Sequence, residues 1–368
     1  MSALRTDASP ASRRGFCVAA EDPDLRRYLL PTALLRGAAA ARAVAAGAAH
    51  WLAGGPLAFA GIARAERRPG HAGLRTHLAG PTADAGLAAL IDAAAAPRRP
   101  WAGFDLKRPL IMGIVNVTPD SFSDGGDFAD AGSAVARGIQ LAEQGADILD
   151  IGGESTRPGA APVSVPEELA RVIPVIRDLA QRGICVSVDT RHAQVMGAAV
   201  EAGARIINDV TALTGDGGSV EVAAKSGAAL VLMHMQGEPQ TMQAEPHYAD
   251  ATLDLIDYFD ARLSALAAAG VEASRVSLDP GIGFGKADPH NRLILSELAA
   301  FQIFGCAVTL GVSRKSFIGR LSRGEAPKQR LPGSIAVATM GFDQGVQIVR
   351  VHDVAETFQA RAMWQMLA

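Results

Sequence analysis

Arg350 and His352 stand two residues apart in IVRVHD, so in an extended strand both side chains leave the same face. A planar guanidinium fork beside an imidazole suits the oxygens of one phosphate-like anion. The competing assignment for Arg350 is an ion pair, with Asp353 as its nearest carboxylate. Ser313 and Lys315 share a face in SRK in the same way, and Arg314 points to the other. A lysine there donates to a carbonyl or faces an anion, or it is a solvated surface residue. GGESTRPGA, residues 152–160, sets Thr156 and Arg157 between glycines. Its hydroxyl, guanidinium and backbone N–H groups fit phosphate oxygens, although the stretch also reads as an ordinary connecting loop.

A second set is acidic and amidic. Asp189, Asn208 and Asp279 each end a short apolar run, and together they offer acceptors to a ligand rich in N–H donors. Hydrogen bonds to charged groups contribute about 1.5–3 kcal/mol each, so a nitrogen heterocycle with an amidine-like edge would be held in one orientation. Metal binding by the two aspartates is the rival. DPGIGFGK, residues 279–286, lacks GxGxxG spacing and its strand–turn–helix context, which argues against a dinucleotide fold. His234 is read as satisfying a buried backbone group.

These residues need a scaffold that gathers strand ends. From Leu110 onward eight apolar runs alternate with helical patterns: LIMGIVN, ADILDIGGE, ICVSVD, RIIND, ALVLMH, VSLDP, VTLGVSRK and QIVRVHD. Their Val and Ile content fits parallel strands buried on both faces. Eight strand–helix units over about 260 residues predict a (β/α)8 barrel, whose single mouth would collect Asn116, Glu154, Asp189, Asn208, His234, Asp279, Lys315 and His352. Any one of them also reads as a helix cap. SVPEELARVIPVIRDLAQRG predicts a helix with a Ser164/Glu167 capping box, closed at Gly183 and interrupted at Pro174.

Upstream, residues 1–25 read as a flexible tail and 26–100 as a small accessory α/β region. That region has strands near 28–32 and 57–63 and helices over 34–46 and 84–96. APRRPWAGF, residues 96–104, reads as a linker before a barrel spanning 105–368.

The formal charge of −3 supplies no basic field for nucleic acid or a membrane surface, so a small-molecule partner is expected. Residues 43–63 carry no formal charge, but their Ala and Gly content, with His50 and Pro56, argues against a bilayer span. The first 30 residues lack a basic-then-apolar sequence with a cleavage site, so a secretory signal is not expected. Cys17, Cys185 and Cys306 form no paired framework, which fits a reducing cytoplasm.

The segments NVTPDSFSDGG, GADILDIGGESTRPGA, SVDT, IND, HMQGEPQTMQ, LDPGIGFGK, GVSRKSFIG and RVHD occur in this order on the predicted strand ends. From about Pro109 to the C-terminus the chain thereby resembles the dihydropteroate synthases, a pterin-binding barrel family. The resemblance implies condensation of 6-hydroxymethyl-7,8-dihydropterin pyrophosphate with p-aminobenzoate, giving 7,8-dihydropteroate and pyrophosphate. It also implies that Asp189, Asn208, Asp279 and Lys315 hold the pterin, with Met233 and Phe284 lining its pocket. Thr156, Arg350 and His352 would bind pyrophosphate, and Asn116 would coordinate the Mg2+ that neutralises it. Lys315, Arg350 and His352 are the expected catalytic residues. Loops 118–126 and 155–161 would be mobile covers, with Phe122, Asp124, Arg157, Pro158 and Ser316 near p-aminobenzoate. Homodimers are expected from the same resemblance.

A pterin-dependent methyltransferase domain is the alternative enzyme, but it has no use for pyrophosphate, so ESTRPG, SRK and RVHD favour the synthase. A non-catalytic pterin-binding protein would have damaged anion or lysine positions. The N-terminal hundred residues depart from a minimal family member, and an accessory module aiding assembly or stability is expected there.

Overall fold

The computed structural model describes residues 15–19, 21–78, 84–118, 131–154, 163–238 and 241–367. Its N-terminal part is an antiparallel sheet of β1 (Cys17–Val18), β2 (Arg26–Leu35), β3 (His50–Trp51), β4 (Ala58–Arg67) and β5 (Leu74–His77), ordered β1-β2-β4-β3 with β5 also on β4. Helix α1 (Gly37–Ala45) follows β2, and α2 (Ala85–Ala95) follows β5. Asp84 caps α2 by accepting from Gly86 N and Leu87 N. Strands β2 and β4 are longer than their apolar runs because they pair continuously from Arg26↔Arg67 to Thr32↔Gly61, then again at Leu34↔Phe59 and Leu35↔Ala58. Residues 43–63 are divided among α1, β3 and β4, and no helix among the described residues is long and apolar enough to cross a membrane.

Eight parallel strands then close into a barrel: β6 (Leu110–Asn116), β7 (Ile148–Gly152), β8 (Val186–Asp189), β9 (Ile206–Asp209), β10 (Ala229–Met233), β11 (Val276–Asp279), β12 (Ala307–Gly311) and β13 (Ile348–Val351). The helices between and after them are α3 (Ala131–Glu143), α4 (Val165–Gln181), α5 (Ala193–Glu201), α6 (Ser219–Ser226), α7 (Ala251–Ala268), α8 (Asp288–Ser296), α9 (Ser316–Arg320), α10 (Leu331–Phe342) and α11 (Val354–Leu367). Each predicted apolar run contains one barrel strand, except that β12 starts one residue ahead of its run, and the strands are buried on both faces as parallel strands under a helical coat must be.

The N-terminal sheet is not a separate body. Phe16, Tyr28, Leu29, Phe59 and Leu90 belong to the same hydrophobic core as Phe259, Phe301 and Phe304 of the barrel wall. The segment read as a linker also differs from expectation. Trp101, 1% exposed, packs against Leu110, Met112, Ile148, Ile206 and Ile348 at the strand starts, and its indole Nε1 donates to Arg275 O at 3.0 Å. Proline and arginine content signals a turn, but one large aromatic makes this turn the barrel floor.

Helix α4 is continuous through Pro174, and the predicted capping box does not form. Ser164 makes no side-chain cap, and the Glu167 carboxylate, which would have supplied the reciprocal bond, accepts from Arg171 one turn on at 2.6 Å.

Candidate active site

Strand register assembles the rim. Asn116, Gly152, Asp189 and Asn208 are successive Cα partners across β6, β7, β8 and β9; Met233 is opposite Asp279, and Gly311 opposite Arg350. All stand at the C-terminal ends of their strands, where barrel chemistry sits.

Asp150, fully buried, is the hub. Its Oδ2 accepts from Asn208 Nδ2 at 3.0 Å and from Arg350 Nε at 2.6 Å, while Arg350 Nη2 donates to Asp189 Oδ2 at 2.6 Å. Burial opposes the charge on Arg350, yet Asp150 and Asp189 hold its guanidinium above the ordinary range. Burial pushes the Asp189 carboxyl up, against the pull of Arg350. The ion-pair reading of Arg350 therefore holds with different partners: Asp353 is occupied by Arg314, whose Nε donates to Oδ2 at 2.9 Å.

Across the rim, Asp279 Oδ1 accepts from Gly281 N at 2.7 Å, and burial raises its pKa against the opposing field of Lys315. Lys315 is not a solvated lysine. Its Nζ donates to Ile282 O and lies 4.6 Å from the Phe284 ring centroid, and burial lowers its pKa to about 8 despite Asp279.

Two glycines keep the space between these groups open. A Cβ at Gly311 would lie 3.6 Å from Asp279 Oδ2, 3.9 Å from Lys315 Nζ and 4.0 Å from Arg350 Cβ; one at Gly152 would lie 3.6 Å from Asp189 Oδ2. The result is a recess with carboxylates and an amide on one side and two cations beside them. Such a lining takes N–H donors and a neighbouring anion together. Met233, 4% exposed, ends β10 directly opposite Asp279.

Sequence reasoning missed two residues here. Asp150 lies inside ADILDIGGE, two positions before Gly152, and that same-face spacing was the available signal. Lys286 closes the glycine loop, and its Nζ bonds Gly281 O, Phe284 O, His234 O and His234 Nδ1 at 3.0–3.1 Å. Burial drives the pKa of both Lys286 and His234 well below ordinary values. The glycines of this loop serve backbone proximity: Gly281 and Gly285 have φ of 65° and 59°, and a Cβ on them would sit 2.0 Å from His234 O and 2.3 Å from Gln236 O.

The remaining predicted residues divide. Ser313 Oγ contacts His352 Nδ1 at 3.0 Å, fixing the imidazole at the end of β13. Glu154 pairs with Arg191 at 2.9 Å and accepts from Val163 N at 3.2 Å, so it ties down the ends of a loop. Ser316 is exposed and its Oγ accepts from Arg320 Nη1 at 2.8 Å. Phe122, Asp124, Thr156, Arg157 and Pro158 lie outside the described residues. Asn116 is half-buried at the end of β6, and no group of three or more His, Cys, Asp or Glu residues suited to a metal occurs among the described residues. A cleft of about 590 Å3 lies on the opposite face, near Arg99, Arg205 and Arg275, and shares none of the rim residues.

Residues 112–352 match a family profile described as "Pterin binding enzyme". The dihydropteroate synthase of Escherichia coli strain K12 is 48% identical over 257 residues, covering 70% of this chain and 90% of the relative. This chain belongs to the dihydropteroate synthase family. The synthase of Neisseria meningitidis serogroup B is 46% identical, covering 71% of this chain and 94% of the relative. Among solved structures, a sulfonamide complex of the Yersinia pestis synthase superposes with a TM-score of 0.69 at 46% identity, covering 72% of this chain and 96% of that one. The Xanthomonas albilineans synthase with 7,8-dihydropteroate gives 0.66 at 45% identity, covering 72% and 95%. Dihydropteroate synthase family membership makes this protein a transferase and sets aside the methyltransferase and non-catalytic alternatives.

Proposed function

We propose that the recess binds 6-hydroxymethyl-7,8-dihydropterin pyrophosphate with its pyrimidine edge toward Asp279, and that p-aminobenzoate displaces pyrophosphate from the methylene carbon. The observation that carries this reading is the opening at Gly311, flanked by Asp279 Oδ2 and Lys315 Nζ. The Xanthomonas albilineans enzyme has been solved with 4-aminobenzoic acid and with 7,8-dihydropteroate, which supports the same substrate pair here. Asp189 and Asn208 extend the acceptor set, Lys315 donates to a ring oxygen or nitrogen, and Met233 and Phe284 cover the ring faces.

The chemistry asks little of a general base. An aniline nitrogen is neutral near pH 7 and carries its own lone pair. An electron-rich dihydropterin stabilises positive charge at its exocyclic methylene, so the C–O bond breaks ahead of attack; the amine then forms the C–N bond and its proton passes to solvent. What must be stabilised is the departing pyrophosphate. We assign that task to the remaining donors of Arg350, to His352 as oriented by Ser313, and to Thr156. Asn116 offers a hard amide oxygen at the rim beside Gly152, which fits Mg2+ held by one protein ligand, waters and substrate phosphates. When bound, that ion supplies charge neutralisation of the leaving group. Phe122, Asp124, Arg157, Pro158 and Ser316 are assigned to p-aminobenzoate.

We further propose a homodimer through the outer helices, supported by the exposed Met340 on α10 and Met363, Met366 and Leu367 on α11. A cytoplasmic setting is supported by three buried cysteines that form no disulfide with one another. A pyrophosphate-release assay tests the reaction: release must require both substrates and match the dihydropteroate formed. Release that is independent of p-aminobenzoate, or none at all, refutes it.

A further inference from the structure

The N-terminal sheet grips the barrel beside the active-site mouth. Arg75 on β5 makes four hydrogen bonds to two carboxylates: to Asp250 from Nη1 at 2.8 Å and Nη2 at 3.1 Å, and to Glu297 from Nε at 2.6 Å and Nη2 at 2.8 Å. Asp250 is the cap of α7 and also accepts from Leu253 N and Gly73 N; Glu297 is the residue that ends α8. The side chains of Asp250 and Glu297 are 4% and 16% exposed. A doubly bidentate guanidinium, 26% exposed and seated on two largely buried carboxylates, is a geometric clamp, unlike a solvated surface pair.

Both clamped helices lead back to the recess. Before α7, Tyr248 donates through its hydroxyl to Gly285 O at 2.8 Å, and its ring lies 5.9 Å from Lys286 Nζ. Gln236 brackets the same loop through His247 N and His247 O. Before α8 runs the glycine loop, held by Asn291, whose Oδ1 accepts from Gly283 N at 2.9 Å and whose Nδ2 donates to Lys286 O. Phe284, the platform under Lys315, lies between these anchors.

We infer that Arg75 is a positioning residue for the pterin half of the site, setting the separation of the β10–α7 loop and the glycine loop that carries Phe284. The inference rests on the assignment of the pterin to the Asp279–Lys315 recess. Arg75 precedes residues 112–352, so the clamp is contributed by the unit that lies ahead of the family match. The N-terminal region thus acts on substrate affinity as well as on packing.

The test uses the full-length chain with Arg75→Ala, Arg75→Lys and, for comparison, Arg36→Ala, which breaks the exposed pair to Asp343 elsewhere in the same unit. Arg75→Ala is expected to raise KM for the pterin pyrophosphate about 3- to 10-fold, Arg75→Lys less, and Arg36→Ala not at all. A lowered melting temperature with unchanged KM would reduce Arg75 to a packing role and overturn the inference. If Arg75→Ala does not fold, Glu297→Gln loosens one arm only and must raise the same KM. Calorimetry with an unreactive pterin separates the two layers. Wild-type affinity in Asp279→Asn removes the pocket assignment and the inference with it. Weakened binding in Asp279→Asn with none in Arg75→Ala removes the inference alone.

Discussion

Arg350 Nε donates to Asp150 Oδ2 at 2.6 Å across 200 residues of sequence, and the carboxylate is wholly buried. Removing Asp150 leaves Arg350 with Asp189 as its remaining carboxylate and takes the acceptor from Asn208 Nδ2, at a cost of about 1–3 kcal/mol. Asp150→Ala is therefore expected to lose about that much in urea unfolding. It should also lose turnover, since Arg350 and Asn208 are both oriented by the missing carboxylate. Wild-type stability would show that the contact is dispensable.

Lys315 makes activity and stability move in opposite directions with pH. Burial depresses its pKa to about 8, so the ammonium needed to donate to the pterin is lost as pH rises through that value. The expected kcat/KM profile falls above about pH 8, and the fall moves to higher pH in Lys315→Arg, whose side chain stays charged. For stability the sign is reversed. A lysine with a depressed folded pKa binds fewer protons folded than unfolded between about pH 8 and its ordinary value near 10.4. This term therefore strengthens folding as pH rises through that window. Kinetic profiles and unfolding midpoints compared between wild type and Lys315→Met check both halves.

Gly311→Ala separates pocket filling from folding. The added methyl would make contacts of 3.6–4.0 Å with Asp279, Lys315 and Arg350, within ordinary van der Waals range, so nothing in the fold must shift. It would, however, occupy space assigned to the pterin. The expected result is an unchanged melting temperature with pterin affinity lowered about tenfold or more, as overfilling a fitted site costs about 1–3 kcal/mol. Unchanged calorimetric affinity would mean that the ligand lies elsewhere.

The same geometry explains what was legible beforehand. Runs such as LIMGIVN and ALVLMH are apolar on both faces, a pattern that only an enclosed parallel strand tolerates, so the barrel was readable from hydropathy. Asp189, Asn208 and Asp279 were readable because they interrupt those runs at their ends. Asp150 was not, since it sits one step lower inside a run and its partners come from β9 and β13. Arg350 illustrates the limit from the other side: its sequence neighbour Asp353 is the obvious partner, and closure of the barrel supplies two nearer ones. Arg75 carries no local mark at all, because its meaning comes from Asp250 and Glu297, which lie 175 and 222 residues away.

Trp101 supplies the last test, because composition and packing assign it opposite roles. As part of a linker it would tolerate truncation; as the barrel floor it fills the space beneath Met112 and Ile148 and anchors its indole on Arg275 O. Emptying a buried aromatic site costs about 3–5 kcal/mol. Trp101→Ala should thus lower the unfolding free energy obtained from denaturant titration by an amount of that order, while Trp101→Phe, which keeps a ring but gives up the indole donor, should lose less. The active-site rim lies at the other end of the strands, so folded Trp101→Ala enzyme should retain near-normal KM for both substrates. A stability indistinguishable from wild type would return the segment to the status of a linker.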